Sequence, residues 1–400
     1  MKVPFSPPDI AETEIELVAE AMRSGWITTG PKTKEFENEI ARYCGAKKTA
    51  CLASATAAME LVLRILGVGE GDEVITCAYT YTASASVIAH VGARPVLVDM
   101  DSDSPFLSPE KIKAAITART KAIIPVDFAG IPADYDALKQ AINDKKELFC
   151  PNSPIQKALG RIAVIGDCAH SFGAEYKGKS VALACDFACF SFHAVKNLTT
   201  AEGGAVVFGD MGDVSADEIY KSFMLYSLHG QNKDALAKTN IGAWEYDIVI
   251  PGYKCNMTDM TAAMGLGQLS RYSKLLRRRR EMVERYDSRF RGTAVKPLVH
   301  TGKDYAGSRH LYIVTVDGID EEKRNRIIAD LGDNGISANV HYKPLPIMTA
   351  YKAMGYDIED FPNAFAYYQK EITLPLHTLL TDEQIDYVAT ALLACVEARK

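Results

Sequence analysis

The stretch SFHAVKNLTTAEGG, residues 191–204, decides how the rest of the chain is interpreted, because it holds one lysine between two strand patterns. The apolar run Phe187–Phe192 is typical of a buried strand, and residues 205–208 (AVVF) resume a strand pattern after two glycines. Lys196 therefore falls on a connection, where functional residues are common. Apolar surroundings would lower the pKa of its ammonium group and favour Schiff-base formation. The alternative is a solvated surface lysine.

A second candidate, Asp167, follows the buried strand pattern of residues 163–165. Ligands of doubly wound sheets bind at the carboxyl ends of the strands, which places this acid at a site. A carboxylate there would keep a pyridine nitrogen protonated, as pyridoxal phosphate requires, and His170 could reach the ring oxygen or orient the acid. The alternative for Asp167 is a helix N-cap. Together, Lys196 and Asp167 favour the cofactor.

A third motif, Ser54-Ala55-Thr56, leads directly into an amphipathic helical pattern. The free N–H groups and the dipole at such a helix start can bind a phosphate group. Ser191 could add a hydroxyl to the same phosphate. An ordinary Ser/Thr helix cap is the alternative.

These motifs together resemble the DegT/DnrJ/EryC1/StrS family of pyridoxal-phosphate sugar aminotransferases, which belongs to the fold type I (aspartate aminotransferase-like) superfamily. The resemblance runs nearly end to end through the further motifs GWITTGP (25–31), GYKCNMTD (252–259), VHYKP (340–344) and LPL (374–376). It implies a three-layer α/β fold with a mostly parallel central sheet. The implied domains are a large cofactor-binding domain at residues 1–250, and a long connecting helix with a smaller α+β domain at 251–400.

The resemblance also implies roles for individual side chains. Lys196 would hold the cofactor and act as general base, assisted by Asp167 and His170. Tyr81 would stack on the cofactor ring, with core packing as its alternative. The implied phosphate ligands are Ser54, Ala55, Thr56, Ser191 and, from a partner subunit, Asn256. The implied substrate contacts are Thr28, Thr29, His341 and Tyr342.

Two of these roles have structural alternatives. Asn256 would otherwise cap its own helix. His341 would otherwise be a satisfied structural histidine.

The expected activity is transfer of an amino group, from glutamate, to a keto group of a nucleotide-linked sugar. Pyridoxal 5′-phosphate and its pyridoxamine form (PMP) would alternate in a homodimer with shared sites. Similarity of the segment His229–Lys254 to members acting on UDP-linked 4-keto-6-deoxy sugars favours C4. One alternative is a dehydratase that keeps the cofactor but has a histidine in place of the lysine, and Lys196 argues against it. The other is a non-catalytic homologue, which the retention of Lys196, Asp167 and the Ser54–Thr56 helix start together disfavours.

Composition excludes several other classes. The 400 residues carry a formal net charge of −6, which argues against nucleic-acid binding. The basic run at residues 277–280 is interpreted as a solvated helix face. Nine scattered cysteines lack zinc-ligand spacing, and free thiols fit a reducing cytoplasm. The N-terminus lacks an apolar signal region and no stretch reaches membrane-span length, so we expect a cytoplasmic protein without a metal.

The pattern predicts several further elements. Residues 220–250 look irregular and longer than an ordinary connection, and residues 144–160 look like a polar surface excursion. The predicted helices are 10–22, 32–43, 259–290 and 381–399, the last with Thr381 as N-cap. The predicted strands besides those above are 73–76, 94–98, 122–126, 310–316 and 338–342.

Overall fold

The computed structural model describes residues 1–102, 104–232 and 245–399. Its helices are α1 (Glu12–Arg23), α2 (Pro31–Cys44), α3 (Ala55–Ile65), α4 (Ala83–His90), α5 (Pro109–Ala115), α6 (Tyr135–Asn143), α7 (Pro154–Leu159), α8 (Ala216–Ser227), α9 (Asp259–Ser270), α10 (Tyr272–Phe290), α11 (Glu321–Asp333), α12 (Thr349–Ala353), α13 (Pro362–Lys370) and α14 (Asp382–Glu397). Its strands are β1 (Lys48–Leu52), β2 (Glu73–Cys77), β3 (Arg94–Val98), β4 (Thr120–Ile124), β5 (Ala163–Asp167), β6 (Glu175–Tyr176), β7 (Lys179–Ser180), β8 (Phe187–Ser191), β9 (Gly204–Phe208), β10 (Val295–Pro297), β11 (Tyr305–Ala306), β12 (Tyr312–Val316) and β13 (Glu371–Leu374).

A seven-stranded sheet with the order β1-β9-β8-β5-β4-β2-β3 forms the centre of the fold. Strands β8, β5, β4, β2 and β3 run parallel to one another, whereas β9 is antiparallel to both its neighbours. The predicted mostly parallel α/β sheet is therefore confirmed. Strand β1 was not predicted, because its residues were taken only as the approach to the helix that follows.

Helices cover both faces of this sheet. Alternate residues of β8 enter different cores: Phe187 and Cys189 pack in one apolar cluster, and Ala188 and Phe190 pack in the other. A strand buried on both faces reads as a continuous apolar run, which is why β8 was recognisable in the sequence.

A separate antiparallel sheet, β10-β12-β13, packs with α10, α11 and α14 around a third core. As predicted, Thr381 caps the last helix: its side chain accepts a hydrogen bond from the backbone N–H of Gln384.

The division of the chain into two domains near residue 250 stays a prediction.

The predicted long helix 259–290 is wrong in one respect, because it breaks at Arg271 into α9 and α10. The Arg271 guanidinium turns back to the carboxylates of Asp9 (3.0 Å) and Glu14 (2.6 Å). Helix α9 packs closely on α1, where a Cβ built on Gly267 would lie 3.0 Å from the Cα of Glu14. The break is thus imposed by contacts more than 250 residues away in sequence.

Three other predictions need correction. Residues 338–342 form a single bridge, Asn339 to Thr373, instead of a strand, because the chain leaves the sheet there toward the cavity described below. The excursion at 144–160 contains α7, anchored where the Ser153 hydroxyl donates to the carbonyl of Leu66 (2.7 Å). Helix α8 extends to Ser227, so the irregular segment begins later than residue 220, and residues 233–244 of it lie outside the described residues.

Two features of the structure bear on membrane spanning and metal binding. No helix among the described residues is both long and apolar enough to cross a membrane. Across residues 1–102, 104–232 and 245–399, no three or more His, Cys, Asp and Glu side chains are grouped to hold a metal ion.

Candidate active site

A cavity of about 360 Å³ opens at the carboxyl ends of the parallel strands. It is where the ligand site of an open α/β sheet is expected. The predicted site residues that line it are Ser54, Ala55, Thr56, Tyr81, Asp167, His170, Ser191, Lys196, His341 and Tyr342. Segments up to 288 residues apart in sequence therefore meet in one place, from Ser54 to Tyr342.

Lys196 lies on the connection between β8 and β9 and is half-buried. Burial lowers the pKa of its amine to about 8, while the nearby charge of Asp167 acts in the opposite direction. A solvated surface lysine, the alternative considered above, would not be buried in this way. An amine with this pKa is partly neutral near physiological pH, as a nucleophile must be.

Asp167 is the last residue of β5 and is buried. Its carboxylate accepts hydrogen bonds from the Ser84 hydroxyl (2.6 Å) and from the backbone N–H of Ala169 (3.2 Å). Burial raises the pKa of Asp167, and these hydrogen bonds and the charge of Lys196 lower it. Turns follow the strand instead of a helix, so Asp167 is not an N-cap.

His170 follows three residues later and is buried against the ring of His310, with 4.4 Å between ring centroids. Its Nε2 shares a hydrogen bond with the Tyr342 hydroxyl (3.0 Å). Its Nδ1 is buried and has no hydrogen-bond partner among the described residues. Burial holds the pKa of His170 well below its usual range, so the ring is neutral.

The start of α3 forms another wall of the cavity. Ser54 is its N-cap, with the side-chain oxygen accepting from the backbone N–H of Ala57 (3.0 Å), so the ordinary-cap alternative is confirmed for this hydroxyl. The first N–H groups of a helix nevertheless have no intrahelical acceptor, and those of Ala55 and Thr56 are in that position. These two N–H groups can therefore donate hydrogen bonds to a bound anion.

The glycine pair explains how this helix start meets the lysine segment. A Cβ built on Gly204 would lie 2.4 Å from the backbone nitrogen of Ala55 and 2.7 Å from the carbonyl oxygen of Phe190. Gly204 pairs with Ser191 on one side and with Leu52 on the other. Any larger residue would separate the helix start from Ser191.

Tyr81 is 61 % exposed, with its ring centroid 5.9 Å from that of Tyr342. This exposure contradicts the core-packing alternative. A flat aromatic side chain on the wall of the cavity is available to stack on a planar ligand.

Three predicted residues lie outside the cavity of their own chain: Thr28, Thr29 and Asn256. The Asn256 amide donates to the Thr29 hydroxyl and to the carbonyl of Met257 (3.3 Å). Thr258 caps α9, so the alternative that Asn256 caps this helix is wrong. The roles of these three residues toward a partner subunit stay predictions.

Several residues of the site escaped sequence reasoning. Ser84 holds the carboxylate of Asp167, and Thr80 in turn shares a hydrogen bond with Ser84 (3.0 Å). The one signal for Ser84 was a polar residue inside the apolar pattern of α4, and Thr80 precedes that helix. His193 and Glu202 also line the cavity, on either side of Lys196.

The residues present fit pyridoxal 5′-phosphate. Lys196 supplies an amine of lowered pKa, and Asp167 supplies a buried carboxyl group for the pyridine nitrogen. The start of α3, where Ala55 and Thr56 line the cavity, supplies backbone N–H donors for a phosphate. This combination defines a pyridoxal-phosphate-dependent enzyme.

Comparison with known proteins specifies the class further. The model of the DegT/DnrJ/EryC1/StrS aminotransferase family matches residues 8–393. The chain belongs to this family, whose cofactor is pyridoxal 5′-phosphate.

Three relatives illustrate the similarity. The candidate sugar aminotransferase Spr1654 from Streptococcus pneumoniae, solved in its PMP form, shares 53% sequence identity over 100% of both chains, with a TM-score of 0.98. The spore coat polysaccharide biosynthesis protein SpsC of Bacillus subtilis is 38% identical over 97% of this chain and 96% of its own length. Helicobacter pylori PseC, an aminotransferase of pseudaminic acid biosynthesis, is 27% identical over 100% of both chains, with a TM-score of 0.87.

The lowered pKa of Lys196 predicts how the apoenzyme captures its cofactor. Below pH 8 most of the amine is protonated and unreactive, so the capture rate should rise with pH and level off, with a midpoint near 8. Because the charge of Asp167 favours the ammonium form, Asp167→Asn should move the midpoint to lower pH. Stopped-flow absorbance after mixing apoenzyme with pyridoxal phosphate between pH 6 and 10 measures both. A midpoint above 10, or an upward shift in the variant, would contradict this assignment.

Proposed function

We propose that this enzyme transfers an amino group from glutamate to the keto group of a nucleotide-linked sugar, in cell-surface glycan or amino-sugar biosynthesis in the cytoplasm. The substrate is a UDP-linked 4-keto-6-deoxy sugar. One observation carries the proposal: Lys196, with its pKa lowered to about 8, shares a cavity with buried Asp167. A dehydratase of this family would have a histidine in place of the lysine.

Four side chains of the cavity then have a task. The bound cofactor supplies an aldehyde that links to Lys196 and a ring that accepts electrons. The Nζ of Lys196 moves the proton to and from the carbon that bears nitrogen. Asp167 would hold the proton on the pyridine nitrogen, and Tyr81 would cover the ring. Neutral His170 can hydrogen-bond the ring oxygen without adding a charge.

The choice of a sugar rests on the relatives. SpsC is named for polysaccharide biosynthesis, and PseC for the biosynthesis of pseudaminic acid. Both similarities extend over nearly the whole chain, including the segment with His341 and Tyr342. Since these two side chains line the same cavity as Lys196, they are the proposed sugar contacts.

A two-step spectroscopic assay tests the proposal. L-glutamate added to the holoenzyme should convert the visible absorbance band to the ultraviolet band of the amine form. A UDP-linked 4-keto-6-deoxy sugar should then restore the visible band, whereas a 3-keto sugar nucleotide should not. If no keto sugar restores it but simple 2-oxo acids do, the sugar assignment fails. Release of ammonia with a dehydrated sugar would identify the dehydratase instead.

The proposal includes a homodimer with shared sites. Asn256 lies beside Leu52 in an antiparallel bridge, at the end of the strand that leads to Ser54, yet it does not line its own cavity. A two-fold axis near this segment would let Asn256 of each chain reach the partner's phosphate site. Thr29 accepts a hydrogen bond from the Asn256 amide, and its neighbour Thr28 is exposed, so both would reach the partner's sugar.

Subunit complementation tests the shared site. Lys196→Ala and Asn256→Ala chains should each be inactive, and mixing them should restore about a quarter of wild-type activity. This follows because random exchange makes about half of the dimers mixed, each with one intact site of two. Mixing each variant with itself is the control. If activity stays absent after mass spectrometry shows that subunits have exchanged, each chain builds its site alone.

A further inference from the structure

A buried hydrogen-bonded group lies behind His341. Glu371 and Thr373 are both fully buried and stand two residues apart on β13, on the same face of the strand. The Oε2 of Glu371 accepts a hydrogen bond from the backbone N–H of His341 (3.0 Å). The hydroxyl of Thr373 lies 2.5 Å from the Oε1 of Glu371 and 3.0 Å from the Nδ1 of His341.

The number of hydrogens limits this group to two arrangements. Because the backbone N–H of His341 occupies Oε2, a proton on Glu371 has to sit on Oε1, facing Thr373. A threonine hydroxyl has one hydrogen to donate, and a neutral imidazole carries a hydrogen on one of its two nitrogens. Burial lowers the pKa of His341 to about 4, so its ring is neutral at physiological pH.

The two arrangements present opposite properties to the cavity. With Glu371 ionised, Thr373 donates to Glu371 and accepts from Nδ1–H, which leaves the Nε2 of His341 as a bare acceptor. With Glu371 protonated, Glu371 donates to Thr373, Thr373 donates to Nδ1, and Nε2 carries the hydrogen. Among the described residues Nε2 has no hydrogen-bond partner, and His341 lines the cavity, so Nε2 is the atom left to meet a ligand.

We propose that Glu371 and Thr373 are positioning residues that set whether His341 offers its cavity-facing nitrogen as a hydrogen-bond donor or as an acceptor. The identity of the ligand rests on the function proposed above. A keto oxygen can only accept a hydrogen bond, so the donor arrangement suits a keto sugar. The acceptor arrangement would place two lone pairs against each other.

The surroundings of Glu371 decide which arrangement prevails at neutral pH. Arg324 donates to the backbone carbonyl of Glu371 (3.1 Å) and to that of Tyr368 (2.6 Å), instead of to the carboxyl group. The other ionisable groups that face it are Tyr79, Tyr342 and Tyr367, whose pKa values burial raises, so they stay neutral. Burial raises the pKa of Glu371 to about 8. The donor arrangement therefore prevails below pH 8, and the acceptor arrangement above it.

Nitrogen NMR of the holoenzyme labelled with ¹⁵N-histidine tests the relay without any substrate. The wild type should show His341 with the hydrogen on Nε2 at pH 6.5 and on Nδ1 at pH 9.5, and His341→Gln identifies its signals. Glu371→Gln should keep the hydrogen on Nε2 throughout, because an amide NH₂ always donates to Thr373. A single tautomer in the wild type across this range would overturn the proposal.

A second pair of variants tests the relay independently, in case Glu371→Gln does not fold. Thr373→Val keeps the shape of the side chain but removes the hydroxyl, so the pH-dependent change should disappear. Thr373→Ser keeps the hydroxyl and should restore it. If Thr373→Val changed tautomer as the wild type does, Thr373 would not be part of a relay, and the proposal would be wrong.

Kinetics then connect the relay with the proposed function. Relative to Glu371→Gln, the wild-type kcat/KM for a UDP-linked 4-keto-6-deoxy sugar should fall about fivefold from the midpoint to one pH unit above it, and the glutamate half-reaction should show no such change. A tautomer change with a flat kinetic ratio would support the relay and reject the contact with a keto sugar. Failure of the relay and failure of the proposed function therefore give different results.

Discussion

Replacing Lys196 with alanine is expected to abolish amino transfer and covalent cofactor attachment, with the fold unchanged. Lys196 is the lysine that lines the cavity, and its half-buried side chain makes no hydrogen bond to the described residues that the fold would lose. Borohydride reduction of the wild-type holoenzyme, followed by peptide mapping, should locate the cofactor on the peptide that contains Lys196.

A matched control comes from the surface. Lys113 forms an exposed ion pair with Asp144 (2.5 Å), and exposed pairs contribute little to stability. Lys113→Ala should therefore keep full activity and the reduced cofactor adduct. Finding the adduct on any lysine other than Lys196 would refute the central assignment of the site.

Asp167→Asn is expected to retain bound cofactor but to slow amino transfer by about 10³ to 10⁵, if ~4–7 kcal/mol of transition-state stabilisation is lost. A neutral amide cannot keep the pyridine nitrogen protonated. The amide oxygen can still accept from the Ser84 hydroxyl, now 2.6 Å from the carboxylate, so the local structure should survive. Single-turnover rates with glutamate measure the change.

The surface residue Asp136 provides the corresponding control, because it pairs with Lys177 and both side chains are half-exposed. Asp136→Asn should leave the rate unchanged. If Asp167→Asn turned over as fast as the wild type, another residue would have to face the pyridine nitrogen.

Sequence reasoning found Lys196 and Asp167 because both follow runs that are apolar on both faces, and the carboxyl ends of such strands are where ligands bind. It missed Ser84, which reaches Asp167 across 83 positions of sequence. It also placed His341 in a strand, whereas the chain there leaves the sheet. Local patterns identify the ends of strands, but tertiary contacts decide which polar side chains meet there.

The same reasoning explains the error at Arg271. The periodicity of residues 259–290 is helical throughout, and no glycine or proline marks the point where α9 ends. The break depends on Asp9 and Glu14, at the other end of the chain. A single-sequence pattern carries no information about such partners.

The row formed by Ser191, Gly204 and Leu52 across three adjacent strands has a consequence for the tolerance of this fold to insertions. One residue added within β9 would shift the register on one side of the insertion. It would either put a side chain where Gly204 stands or turn the side chains after the insertion to the opposite face. An insertion after Phe208 falls at the other end of the same strand, away from the cavity. Length variation among proteins with this architecture should therefore collect at that far end.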